Sequence, residues 1–331
     1  MGFPVQLAVL NPGGRDREQP FPQGAGAPED VVTHPPVNYH AYAACTGGTF
    51  YSDAARIPLS QSEVLLVLRR DLKACLRALR ELKGEGRRVA VSLKESGLHQ
   101  VAKLLGTARN LELFREICRL ANGCLASTSE LVGIYGSAGG KCVRFIPTPY
   151  PVDVESWDFA LPLAERSGIF IGTREWDTPS RNHAAALLLA ASLGAPVTVV
   201  NEDGRPGRKR IDAIGLPNAQ IIEGRLPYPD YLCLIARHRI VLQLDRSAVP
   251  GQVAGDALLC GLPCVGGDGA IERIAFPDFP QDPEKLRAFA TTLLNDDQTC
   301  VEATAKSREI ALHRLSFEAV GRELAEYFGA L

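Results

Sequence analysis

The stretch "SAVPGQVAGDALLCGLPCVGG" (residues 247–267) holds a single acid, Asp256, in an otherwise uncharged run of Gly, Ala, Pro and aliphatic residues. The preceding "RIVLQLD" (239–245) is nearly continuous in apolar residues and reads as a buried strand. The segment is therefore strand, loop ("RSAVPG"), helix from about 251 to 260, a stop at "GLP", and a further strand in "PCVGG" (263–267). A helix that opens at Gly251, Gln252 and Val253 presents first-turn amides and the positive end of its dipole, which suit a phosphate. The small residues Gly251, Ala254 and Gly255 allow a ligand close to the backbone. Asp256 follows about one turn later, and an ionised carboxylate, acceptor-only, suits a ribose diol. The same residues also suit a helix packed tightly on its sheet with Asp256 turned to water.

Outward from this segment, strands and helices alternate. Predicted strands are "VQLAVL" (5–10), "EVLLVL" (63–68), "RVAVSL" (88–93), "CLAS" (124–127), "VRFIP" (143–147), "GIFIGT" (168–173), "PVTVVN" (196–201) and "QIIEG". Between them, "DLKACLRALRELKGEG" (71–86) and "NLELFREICRLANG" (110–123) carry apolar residues at helical spacing and stop at glycine. Thr128 is the expected N-cap of a helix over 128–140. Further helices are expected at 180–194, in "YPDYLCLIARH", at 282–296 and at 316–331. The strands' continuous apolar runs, separated by helices, predict parallel sheets covered on both faces. Residues 15–37 and "RPGRKR" (205–210) read as loops, the latter solvated or in contact with a diphosphate or anionic lipid. The prolines of "PTPYPVDVESWD" (147–158) interrupt the alternation and read as a linker. The expected organisation is an N-terminal Rossmann-like acceptor domain (1–150), a C-terminal Rossmann-like donor domain (151–315), and a final helix (316–331) crossing back to the first. In such doubly wound α/β sheets ligands bind beyond the C-terminal ends of the strands, here a cleft between two domains.

Composition narrows the classes. With 331 residues, 46% of them hydrophobic, the chain can bury a large core, and its net charge of −2 lacks the basic excess of a general nucleic-acid binder. No apolar run is long enough to span a bilayer. The opening "MGFPVQLAVLNPGG" has neither the basic region nor the long apolar core of a signal peptide, and Gln6 breaks the myristoylation pattern. Nine scattered cysteines, with no C-x-x-C, point to buried thiols in a reducing compartment rather than a zinc site. A cytoplasmic protein is expected, with peripheral contact to the inner membrane face left open.

"LQLDRSAVPGQVAGDALLCGLPCVGGDGAIE" resembles the donor-site segment of GT-B glycosyltransferases, the family-4-like group in particular. Those proteins carry Glu-Gly-Phe-Gly followed by Glu-Ala-x-Ala-x-Gly-x-Pro-Val-Val. Asp256 stands at the second glutamate, Gly251 at the second glycine of Gly-Phe-Gly, and Ala248 where the first glutamate belongs. "GIFIGT", "CLASTSELVGIYGSAGGKCVRFIPTPYPVD" and "LSFEAVGRELAEYF" resemble other parts of the family, so the likeness covers roughly 120–331 and fades over 1–110. It implies a GT-B fold and a metal-independent, cofactor-free, retaining transferase. The donor is a UDP-, GDP- or ADP-linked sugar and the acceptor a small molecule, glycan, lipid or protein. In the family the first glutamate helps hold the donor sugar, and its absence at Ala248 favours, as an alternative, a non-catalytic binding or assembly subunit. A sugar-nucleotide epimerase on the same fold is a further alternative.

Other candidates follow from position. Arg174 and Arg181, in "GTREWDTPSRNH", flank a strand–helix loop and suit a leaving diphosphate, although the family's Arg-x-x-x-x-Lys spacing is absent. Gly13 and Gly14 of "NPGG" follow the first strand and are nucleotide-sugar-binding candidates facing the cleft from the other domain, since in the family a Gly pair there lets the chain approach the donor phosphate or the acceptor. In "VTHPPVNYHAYAACTGGTFY" (32–51), Asn38, Tyr39 and His40 are acceptor-pocket candidates, as is Lys94 of "SLKESGLHQ" (92–100). His99 is a catalytic candidate beside Arg174 and Arg181. Surface or packing roles are the competing reading for each.

Overall fold

A computed structural model describes residues 5–16, 18–30, 34–172, 174–216 and 219–331. Residues 1–4, 17, 31–33 and 173, which fall within stretches read above, lie outside the described residues. The chain divides into two compact units: Met1–Ser156 with Arg314–Leu331, and Trp157–His313.

Unit 1 is built on strands β1 (Ala8–Leu10), β2 (Gln19–Pro20), β3 (Thr49–Tyr51), β4 (Glu63–Leu68), β5 (Arg88–Leu93), β6 (Gly123–Ala126) and β7 (Val143–Phe145). Their order is β2-β3-β1-β4-β5-β6-β7. Strand β1 is central, pairing in parallel with β3 (Val9 opposite Phe50) and β4 (Val9 opposite Leu65). Helices α1 (Tyr39–Ala44), α2 (Leu72–Gly84), α3 (Leu98–Leu105), α4 (Ala108–Leu120) and α5 (Glu130–Ser137) connect the strands.

Unit 2 has five strands, β8 (Ile169–Ile171), β9 (Val197–Asn201), β10 (Gln220–Glu223), β11 (Ile240–Leu242) and β12 (Cys264–Val265), all parallel in the order β10-β9-β8-β11-β12. Its helices are α6 (His183–Leu193), α7 (Arg205–Ile214), α8 (Tyr228–Ala236), α9 (Gln252–Leu259), α10 (Ala270–Ala275), α11 (Pro283–Asn295) and α12 (Asp297–Arg314). The last helix, α13 (Phe317–Gly329), belongs to unit 1.

Each sheet has an apolar core. In unit 1 Val64, Leu66, Val89, Val91 and Ala126 are buried with Leu79, Phe114, Ile117 and Tyr135 from the helices. In unit 2 Ile169, Ile171, Val199, Leu242 and Val265 meet Leu187, Ile211 and Leu293. The expected α/β class and parallel sheets are present, with one exception: β2 runs antiparallel on the edge of unit 1.

Three local readings need correction. "RPGRKR" (205–210) is not a loop but the start of α7, where Pro206 sits in the first turn, Ile211 is buried, and Arg208 pairs with Asp212 one turn on. Residues 15–37 are not wholly loop, since they contain β2 and a short 3₁₀ turn, Pro28–Asp30. Thr128 does not cap α5. Ser129 precedes the helix, and the buried Thr128 hydroxyl has no hydrogen-bond partner among the described residues.

The C-terminal helix is tied down through its first turn. Asp153 accepts from the amides of Phe317 (3.1 Å) and Glu318 (3.0 Å), Ser316 Oγ accepts from Ala319 N (3.1 Å), and Tyr150 N donates to Leu315 O (2.8 Å). A carboxylate there satisfies two otherwise unpaired amides and opposes the positive helix end. Asp153→Ala should therefore lower stability by about 1–2 kcal/mol, a large capping effect. A urea midpoint equal to that of the parent would show the cap to be energetically idle.

Candidate functional site

In unit 2 the chain leaves β8 toward β9 and β10 on one side, then returns to place β11 on the other. The crevice beyond the carboxyl ends of β8 and β11 is thus the topological switch point, where open α/β sheets bind ligands. The loops "REWD" (174–177) after β8 and "QLDRSAVPG" (243–251) after β11 border it.

Arg181 ties the two loops together. It pairs with Asp245, which is fully buried, and with Glu175, its Nε donating to Glu175 Oε2 at 2.6 Å. Burial opposes the Arg181 charge, but Asp245 and Glu175 outweigh it and raise its pKa. Asp245 also accepts from Ser247 N (2.6 Å), and Ser247 Oγ meets Ser180 Oγ at 2.9 Å. Arg181 is thereby committed to holding the crevice walls. Arg174, next to β8, has an exposed side chain, and its carbonyl meets His183 Nε2 at 3.0 Å.

The loop into α9 is unusual in its backbone. Ala248 has φ 49° and Gly251 φ 95°, the left-handed region that a residue with a Cβ enters at a cost. Ala248 N donates to Asp268 Oδ1 at 3.0 Å. Gly251 caps α9 and its carbonyl takes Ala254 N and Gly255 N, both at 3.1 Å. Gln252 is half-buried and Val253 buried in the first turn. Asp256 is only 1% exposed, and Tyr228, first residue of α8, donates its hydroxyl to Asp256 Oδ1 at 2.5 Å. A water-facing Asp256 is thus excluded.

Sequence reasoning missed Glu272 on α10. It is 3% exposed, and among the described residues no other residue hydrogen-bonds either carboxylate oxygen. A Cβ at Gly251, Gly267 or Gly269 would overlap its carboxyl group, so three glycines from two loops form its cage. Burial, with Asp245 and Asp268 nearby, pushes its pKa up to about 7. The available signal was the glycine-dense "GGDG" (266–269), which ends three residues ahead of it.

The unit 1 candidates occupy the corresponding edge of their own sheet. Gly13 (φ 64°) donates to Ser52 O at 3.0 Å, and Gly14 N to Asn11 O at 3.0 Å, forming the turn after β1. A Cβ at Gly14 would strike the Asn11 side chain. Lys94 pairs with Asp16 at 3.3 Å, and Asp16 lies 3.6 Å from His34. Burial acts to raise the Asp16 pKa, yet the Lys94 and His34 charges outweigh it and lower the value. His40 is buried and stacked between His34 (4.6 Å) and Phe50 (3.8 Å). Burial, then the His34 charge, drives its pKa down to about 3, so His40 is neutral at physiological pH. Asn38 is exposed with φ 53° ahead of α1, and His99 is half-buried on α3. Lys94 and His40 are therefore linked through the Asp16–His34 pair, whereas His99 lies on a separate element.

Among the described residues, no group of three or more His, Cys, Asp or Glu side chains is arranged to hold a metal ion, and no helix is long and apolar enough to cross a membrane.

No protein-family model matches the chain, and no curated protein matches it. Solved structures do. The crystal structure of Anabaena Alr3699/HepE in complex with UDP is similar over 99% of this chain and 100% of its own, with a TM-score of 0.64 and 15% identity. An E. coli trehalose-6-phosphate structure bound with UDP-2-fluoro glucose aligns over 81% of this chain and 73% of its own, with a TM-score of 0.60 and 10% identity. A glycosyltransferase from Rickettsia africae aligns over 81% and 76%, with a TM-score of 0.57 and 12% identity. The chain has the GT-B fold of such glycosyltransferases. Within that class, the structure aligned over its whole length is a UDP complex.

Glu272 sets a pH dependence. Its folded-state value near 7 exceeds the ordinary 4.5, so between these values the folded chain keeps a proton that the unfolded chain releases. Stability should fall as pH rises through that window, by about 3 kcal/mol at about 1.4 kcal/mol per unit, and level off above it. Glu272→Gln should remove this slope in urea midpoints taken from about pH 4.5 to about pH 8. The same slope in both proteins would place the carboxyl in water.

Proposed function

We propose that this chain is a glycosyltransferase that moves a sugar from a nucleotide-sugar, with UDP-sugars the leading class, to a hydroxyl-bearing acceptor, metal-independently and with retention. The observation that carries the reading is the full-length likeness to a UDP complex, set beside a switch-point crevice in unit 2. The nucleotide belongs on unit 2. The first turn of α9, entered through Gly251 and continued by Gln252 and Val253, faces the diphosphate with the positive end of the helix. Arg174 supplies a guanidinium to the departing oxygen, while Arg181 keeps the crevice walls in register. Asp256 takes the ribose diol on the side where Tyr228 already donates. On unit 1, Gly13 and Gly14 let the first turn approach ligand, and Asn38, His40 and Lys94 border the acceptor. The resemblance of 247–272 to the family supports retention and metal independence. A cytoplasmic location suits such a donor.

In the reaction the bond from the anomeric carbon to the diphosphate oxygen breaks and one to the acceptor oxygen forms. Negative charge grows on the diphosphate, so donors aimed there act most strongly in the transition state. One observation favours a second reading, a non-catalytic binding subunit. Ala248 offers no carboxylate where the family places its first glutamate, and its N–H is occupied by Asp268.

The test is UDP titration followed by turnover with a panel of nucleotide-sugars, with and without EDTA. Turnover that survives EDTA supports the transferase reading, and tight UDP binding with no turnover supports the binding subunit. Arg174→Ala should lower kcat by about 10²–10³ and change KM less. Arg174→Lys should recover only part, because an ammonium lacks the guanidinium fork. Unchanged kcat and KM in Arg174→Ala would remove it from the diphosphate site.

A further inference from the structure

Unit 1 has its own switch point. Strand β1 lies between β3 and β4, so the chain passes to one side after β1 and to the other before β4. A cavity of about 680 Å³ opens there, within the range of ligand pockets. Pro12, Gly13 and Arg15 border it after β1, Arg69 and Arg70 after β4, and Lys94 after β5. Helix α2 gives one face, with Ala74 and Ala78 small and Arg77 and Glu81 one turn apart.

The charges of this cavity are unevenly matched. Its cations are Arg15, Arg69, Arg70, Arg77 and Lys94, and its acids Asp53, Asp71, Glu81 and Glu95. Two acids are engaged by backbone: Asp53 accepts from Ala55 N and Asp71 from Ala74 N, each at 3.0 Å. Lys94 pairs with Asp16, and Arg70 lies 3.9 Å from Glu95. Arg69 donates to the Pro12 carbonyl at 3.0 Å, which fixes its guanidinium across the β1–β4 crevice. Among the described residues, Arg15, Arg69 and Arg77 have no carboxylate within ion-pair distance. These three guanidinium groups border one cavity, and an anion bound there would be attracted to all three. A phosphate, with up to two charges and several acceptor oxygens, matches several forks better than a single carboxylate does.

We infer that the unit 1 crevice binds a phosphate group, and that the acceptor of the transfer carries it. The word acceptor rests on the transferase reading; the phosphate site rests on the cavity alone. Lipid-borne and soluble phosphates share this chemistry.

The experiment uses the full chain and two kinds of probe: glycerol phosphate by calorimetry, and phosphatidylcholine vesicles with or without phosphatidic acid by flotation. UDP is titrated separately. Glycerol phosphate binding, or vesicle binding that requires phosphatidic acid, supports the site and identifies the source. Arg15→Ala/Arg77→Ala changes two exposed side chains and should weaken the bound probe by about tenfold or more while the UDP Kd holds within about twofold. Arg69→Lys, which keeps the charge and loses the fork, should weaken it less. If neither probe binds, or if the double variant binds as the parent does, the inference is overturned. If the probe binds through these arginines and UDP does not bind at all, the transferase reading fails and the phosphate site stands.

Discussion

A parallel sheet sends the carboxyl ends of its strands to one edge, and each connection must leave over one face or the other. Where successive connections change sides, the two loops part and leave a crevice. In both units the first strand sits at that point, β1 between β3 and β4, and β8 between β9 and β11. These strands are only three residues long, so polar side chains follow at once: Asn11 beyond β1, Gln243 and Asp245 beyond β11, all buried. Buried polar groups at a sheet edge must be paired, and the pairing positions the crevice walls. Arg181 with Asp245 does this in unit 2, and Arg69 with the Pro12 carbonyl does it in unit 1.

The two crevices differ in charge. In unit 2, Asp245, Asp256 and Glu272 are buried, and Asp268 is drawn into the same surroundings through Ala248 N. Burial raises the pKa of Asp268 as well as that of Glu272, with Asp245 adding to both. Among these groups Arg181 is the internal cation, already shared by two carboxylates. The diphosphate of the proposed donor would therefore depend on the α9 dipole and on Arg174, with Glu272 taking up a proton more readily as that charge arrives. In unit 1 the cavity lining carries Arg15, Arg69, Arg70, Arg77 and Lys94 beside Asp53, Asp71, Glu81 and Glu95, and among the described residues Arg15, Arg69 and Arg77 have no ion-pair partner.

How much could be read from the sequence depended on the range of the interaction. Buried strands such as "EVLLVL" and "RVAVSL", and helices ending in glycine such as α2, declare themselves within a few residues, and the resemblance at 247–272 located the α9 loop. Beyond the strand in "VQLAVL", the first fifty residues did not. Strand β3 is three residues long and β2 two; β3 owes its place to β1, and β2 to β3, rather than to their own pattern. Helix α12 was also missed. Its apolar residues do not form one stripe, and Val301 (51% exposed) and Leu312 (39%) point outward. Arg181 reads as a diphosphate candidate from its loop, but its pairing with Asp245, distant in sequence, has no local signal. The Glu272 cage needs glycines from two loops that no local window contains.

Ala248 departs most clearly from the family pattern, and the surrounding charges give that departure a physical setting. Its N–H is held by Asp268, and its left-handed backbone directs the loop toward Gly251, against which Glu272 is packed. A glutamate at 248 would join Asp245, Asp268 and Glu272 in a region where burial already pushes one carboxyl to about 7. A further ionised group would raise its neighbours again, or stay protonated itself. A methyl group at 248 avoids that repulsion and leaves the buried cluster with the carboxylates it already has. The residue that the resembled pattern places on the loop is thus missing where the cluster beneath it is already rich in acid.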